Sequence, residues 1–193
     1  MTTDIDTARI FTEKARIASA TVERVRTMQQ ALDYAADLCW RNGKKEGLAP
    51  PPAMAAPALS PADFAQLKNI CDVRGINLFR ENLRSNLQGI DVGVTYADLG
   101  IAETGSLVIN STSENLRLAT MISDIHLAIL PVSGLRADDR DIIADLRGYL
   151  AGPENYTTFI TGPSRTADIE RVLAIGVHGP LELHILLLEE TQC

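Results

Sequence analysis

From Asp91 onward, apolar runs of strand length alternate with turns and helical stretches, and this alternation constrains the fold most. The runs are SLVIN (106–110), HLAILPV (126–132), YTTFIT (156–161) and LHILLL (183–188). Residues 126–132 and 183–188 are nearly continuous in apolar side chains, so those strands need cover on both faces. Between the runs, Ile142, Ile143, Leu146 and Leu150 recur at helical spacing within residues 138–150, and residues 167–173 read as a short helix. The pattern predicts an α/β fold with a mainly parallel sheet flanked by helices.

The first half reads differently. Phe11, Ala15, Ala18, Val22, Val25, Leu32 and Ala36 recur at three- and four-residue steps, which predicts one long N-terminal helix over residues 7–39. Its apolar stripe either lies across its own domain or pairs with a second chain as a homodimer through the N-terminal helix. Residues 47–61, GLAPPPAMAAPALSP, contain five prolines and read as a semi-rigid linker. Ser60 followed by Pro61 marks a helix start, and Gly75 marks its end. A further short helical piece is expected over residues 78–87. The division expected is a helical arm (1–46), a Pro/Ala-rich linker (47–61) and an α/β domain (62–193).

Charge and cysteine usage narrow the classes of function. With 25 acidic against 18 basic residues, the net charge of −7 argues against nucleic-acid partners and against anionic membranes. No apolar stretch approaches the roughly 20 residues of a spanning helix, and the polar, acidic start MTTDIDTAR shows no signal peptide. Cys39, Cys71 and Cys193 are far apart and form no C-x-x-C pair, so neither zinc nor an iron–sulfur cluster has its usual spacing. A cytoplasmic protein without a metal is expected.

Three turns carry the candidate chemistry. In TGPSRTADIE (161–170) an apolar strand stops, Gly162-Pro163 turns the chain, and Ser164, Arg165 and Thr166 lead into a helix with Asp168 in its first turn. Free N–H groups and the dipole of a helix start attract anions, and the Arg165 guanidinium adds a fork of donors. The alternative is an ordinary capped helix, with Arg165 paired to Asp168 or Glu170. In an open α/β sheet this turn is expected at the carboxyl ends of the strands. In ADLGIAETG (97–105), Glu103 sits in a glycine-flanked turn as either a hydrogen-bonding anchor or a catalytic carboxylate. Thr104 and Ser106 add hydroxyls beside Gly105, and Asn110 opens a polar loop. In GVHGP (176–180), His178 before Gly179 is either a surface histidine or a general acid/base. His126 and His184 fall within apolar strands and read as structural.

Taken in order, IAETGSLVI (101–109), GPSRTADIE (162–170) and GVHGP (176–180) resemble the signature of the LUD-domain family, and the cysteine-poor chain resembles its lactate-utilisation protein C (LutC/YkgG) branch. The resemblance implies a NagB/RpiA/CoA-transferase-like fold. It also implies a part in oxidising L-lactate to pyruvate, with iron–sulfur clusters carried only by partner subunits. In that setting Arg165 would hold a small anion, helped by Thr104, Gly105, Ser106, Asn110, Gly162, Ser164, Thr166, Asp168 and Gly179, while Glu103 and His178 would face the reacting centre. Two other classes remain open: an independent sugar-phosphate isomerase or CoA-transferase-like enzyme using Glu103, and a non-catalytic metabolite-sensing assembly protein.

Overall fold

A computed structural model describes residues 2–43, 50–86, 89–111, 113–151, 155–167, 173–175 and 179–189. In chain order the elements are α1 (Thr2–Ile17), β1 (Thr21–Val25), α2 (Met28–Asn42), β2 (Ala53–Ala55), α3 (Pro61–Arg74) and β3 (Asn77–Phe79). A 3-10 turn (Leu83–Asn86) precedes β4 (Ile90–Tyr96), β5 (Leu99–Ile101), β6 (Ser106–Ser111), α4 (Glu114–Ile122) and β7 (Ser123–Pro131). After a second 3-10 turn (Val132–Gly134) come β8 (Leu135–Arg136), α5 (Ile143–Leu150), β9 (Tyr156–Ile160), β10 (Arg165–Ala167), β11 (Leu173–Ile175) and β12 (Glu182–Leu188).

The main sheet has six strands in the order β1-β12-β7-β4-β2-β3, and every pairing in it is parallel. A second sheet, β8-β5-β6-β9, is mixed, and β10 pairs antiparallel with β11. The α/β fold read from the alternating runs is what forms.

Alternation along the central strands sends side chains to two cores. Val92, Val94, Ile125, Leu127 and Leu186 face α2 and α3, where Leu32, Ala35 and Leu67 meet them. Ala128, Leu130, Ile185 and Leu187 face the other way, against Phe11 and Ala15 of α1 and Leu107 and Ile109 of β6. Phe11 is fully buried, and truncating such a side chain costs about 3–5 kcal/mol.

The single long N-terminal helix does not form. α1 stops because Ser19 adopts φ 71°, which lets Ser19 N–H bond Arg16 O (2.9 Å) and Ala20 N–H bond Ala15 O (2.9 Å). That double bond is a Schellman stop with serine in the place usually held by glycine. The chain then enters β1, and Thr27 caps α2 through its side chain. The stripe expected to pair two chains is consumed inside this one, since Phe11, Ala15 and Val22 are buried in its own core.

The expected arm, linker and domain are likewise not separate. Residues 1–46 contribute β1 to the main sheet, and residues 47–61 contribute β2, whose three residues are buried between β3 and β4. Asp91 Oδ2 accepts the Ala53 N–H at 2.8 Å. The expected stop and start signals around α3 hold: Ser60 accepts from Asp63 N–H, Pro61 opens the helix, and Gly75 ends it at φ 69°. Residues 78–87 hold the end of β3 and a 3-10 turn where a helical piece was expected. Among the described residues, no helix is long and apolar enough to cross a membrane.

Candidate functional site

The three motif turns meet. β9 ends at Ile160, and Thr161 Oγ1 lies 2.6 Å from Ser106 Oγ, which in turn lies 2.7 Å from Thr104 Oγ1. Ser106 is buried, so this hydroxyl chain ties the first motif to the second from the inside. Ser164 N–H then donates to Pro180 O at 2.9 Å, joining the second motif to the third. Gly179 permits the approach: a Cβ there would sit 3.0 Å from Ser164 Cβ.

The second and third of these turns border a pocket of about 290 Å³. Thr161, Gly162, Pro163 and Ser164 form one rim, Gly179 and Pro180 another, and Thr120 and Met121 of α4 a third. His126 and Leu183 supply the wall from the main sheet. Both lie in the amino-terminal halves of their strands, so the pocket opens at the amino edge of the parallel sheet and not at the carboxyl edge expected. The reason is topological: β9 belongs to the second sheet, and its carboxyl end abuts the starts of β7 and β12.

His126 is the polar group at this wall. It is only 1% exposed, and its Nε2 shares a 2.8 Å hydrogen bond with Oγ1 of the fully buried Thr95. Burial alone pushes its imidazole down to about 4, so the ring is neutral at physiological pH.

Arg165 and Thr166, expected to lead into a helix, lie in strand, and residues 168–172 lie outside the described residues. Arg165–Ala167 is β10, and the proposed helix end at Leu173 opens β11. Arg165 Nη2 instead donates to Ala18 O at 2.9 Å and to Ser19 Oγ, closing the carboxyl end of α1. A cation there satisfies a terminal carbonyl and complements the helix dipole.

Gly162 and Gly105 serve the same contact. At φ 72°, Gly162 occupies the left-handed region, and a Cβ would lie 2.1 Å from Ala18 O. At φ 68°, Gly105 would place one 2.2 Å from Ala15 N. Two glycines chosen as ligand contacts thus make room for the end of α1.

Glu103 is exposed in its turn and lies outside the pocket lining; its N–H donates to Ala137 O at 3.0 Å. Asn110 lies at the far end of β6, where Thr157 Oγ1 donates to its Oδ1 at 3.3 Å and Asp98 Oδ2 accepts its N–H at 2.7 Å. The side chain of Thr166, and Asp168 and His178 altogether, lie outside the described residues.

A family model described as the LUD domain matches residues 8–188. The chain belongs to the LUD-domain family. Among its curated relatives, lactate utilization protein C of Halalkalibacterium halodurans is 33% identical over 113 residues, covering 57% of this chain and 49% of the relative. Lactate utilization protein C of Bacillus subtilis is 31% identical over 113 residues, covering 57% and 47%. The protein YkgG of Escherichia coli is 33% identical over the same length, covering 57% and 48%. The chain is thus similar to lactate utilization protein C over part of its length, and it spans about half the length of the curated relatives it matches. A crystal structure of a DUF162 family protein from Deinococcus radiodurans shares the fold, with a TM-score of 0.65, 15% identity and coverage of 96% and 98%.

Within the LUD domain, sequence reasoning missed His126, Thr95 and Thr120. A histidine inside a continuous apolar run gives no outward sign of facing a cavity. What signals it is its place in the pleat: it shares a face with Ala128 and Leu130, opposite the second sheet.

Proposed function

We propose that this chain is a LUD-domain component of an L-lactate utilisation system, binding a small carboxylic acid of the lactate and pyruvate kind in the pocket between its motif turns. Electron transfer would fall to iron–sulfur clusters in partner subunits, and the chain itself would carry no cluster. The reading rests chiefly on one geometric observation: two of the motifs, joined by the Ser164–Pro180 hydrogen bond, line one cavity, and the third braces it from behind through the Ser106–Thr161 hydrogen bond. The printed names of its relatives point to lactate utilisation as the setting.

The lining suits a small acid with a short apolar body. Leu183, Met121 and Pro163 offer apolar wall, while Thr161, Ser164 and His126 offer hydrogen bonds at separate points. The exposed position of Glu103 outside the cavity removes support for a CoA-transferase-like nucleophile.

Two measurements test the reading. A ligand that binds the folded state raises its unfolding temperature. L-Lactate or pyruvate should do so, with sugar phosphates and CoA inert. Affinity capture from cells grown on lactate should bring down iron–sulfur proteins. A shift with sugar phosphate or CoA alone would overturn the proposal.

A further inference from the structure

Two polar side chains on the pocket wall are held from behind by buried hydroxyls. Ser106, 5% exposed, fixes the Thr161 hydroxyl at the rim. Thr95, 0% exposed, fixes the His126 ring at the wall. A core histidine needs only satisfied nitrogens and apolar neighbours, and His184 shows what that looks like. It lies on the other face of the sheet, bonded to Tyr34 Oη at 2.8 Å and Glu182 Oε2 at 2.9 Å, and does not line this pocket. His126 differs in being both buried and part of a cavity wall.

A neutral imidazole has one donor and one acceptor nitrogen. It cannot attract a carboxylate by charge, but it can hydrogen-bond a hydroxyl or a ketone oxygen. The two members of a 2-hydroxy/2-oxo acid pair differ at one such oxygen, and the rest of the molecule is the same.

We propose that His126 is the residue that recognises the C2 oxygen of the pocket's ligand, and that Thr95 is its positioning residue, fixing the ring's orientation. This rests on reading the pocket as a small-acid site. The consequence is specificity: the site distinguishes a 2-hydroxy or 2-oxo acid from the same acid without that oxygen. A site built to hydrogen-bond an oxygen leaves its own polar group unpaired when the oxygen is missing, a penalty worth tenfold or more.

The test compares L-lactate, pyruvate and propionate by calorimetric titration of the full chain. Wild type should bind lactate or pyruvate at least about tenfold more tightly than propionate. His126→Leu should bring all three within about threefold of one another, and Thr95→Val should shrink the preference partway. His184→Gln should leave the preference intact. Should His126→Leu fail to fold, the imidazole resonances of His126 in wild type serve instead, and they should move with lactate and not with propionate. Equal binding of lactate and propionate by wild type overturns the role of His126 while leaving the acid site standing. Retention of the preference by His126→Leu does the same. Binding of none of the three acids overturns the site itself, and the inference with it.

Discussion

Acid should destabilise this domain through His126 more than through any exposed group. The unfolded chain binds a proton there at about 6.5, and the folded ring is pushed down to about 4 by burial. Above 6.5 neither state is protonated and the histidine costs nothing. As pH falls below 6.5 the unfolded state gains a proton that the folded state refuses, so stability declines until pH passes the folded value. Each pH unit in that window is worth about 1.4 kcal/mol. The loss is therefore about 2 kcal/mol at pH 5 and saturates near 3 kcal/mol below pH 4, against a total stability of roughly 5–15 kcal/mol for a domain. Urea unfolding of wild type and His126→Gln, each from pH 7.5 to 5, isolates the effect because other titrating groups cancel in the difference. The variant starts less stable, having lost the bond to Thr95, but its profile should be flatter by about 2 kcal/mol. Parallel profiles would show that the ring takes up its proton in the folded state, and the buried-neutral description would fail.

Three further outcomes follow from the contacts described. Gly162→Ala combines a left-handed backbone with a Cβ driven into Ala18 O, so it should lower stability by about 2–4 kcal/mol in denaturant unfolding. Arg165→Ala removes an exposed clasp on α1 and should cost only about 1 kcal/mol, or a few degrees of Tm, while leaving stabilisation by lactate unchanged. Cys39 and Cys71 are buried, with the Cys39 thiol pushed well up and that of Cys71 up to about 11. Both should resist alkylation at pH 8 until the protein unfolds, as measured by mass spectrometry with and without urea.

Legibility in the sequence tracked the kind of signal each element carries. The strands β6, β7, β9 and β12 announce themselves by dense apolar runs, and α3 by a serine cap, a proline and a terminal glycine. β1 was hidden because its buried Val22 and Val25 are three apart, a spacing that also continues a helical stripe. The stop before it was hidden because Ser19, not glycine, takes the left-handed position. β2 was hidden because Ala-Met-Ala among prolines has linker composition, and only its neighbours make it a strand. The pocket was half legible. Thr161, Ser164, Ser106 and Gly179 of the motif turns come together, since turn residues cluster where chains converge. His126 and Thr95 were not legible, since pleat direction decides which strand residues face a cavity. Arg165, Gly105 and Gly162 shape the seat of α1, and Gly162 lines the pocket as well.

That seat bears on how the protein is made. Arg165 reaches back 147 positions to Ala18, and β1 can pair only once β12 has been translated, because β12 separates it from β7 in the sheet. β1, though early in this sequence, is thus among the last strands of the main sheet to find its place. Until then Val22 and Val25 lack Ile185 and Leu188, their partners in β12, and offer a handhold for a chaperone during synthesis. A stop codon before β12 would therefore strand the opposite end of the chain as well.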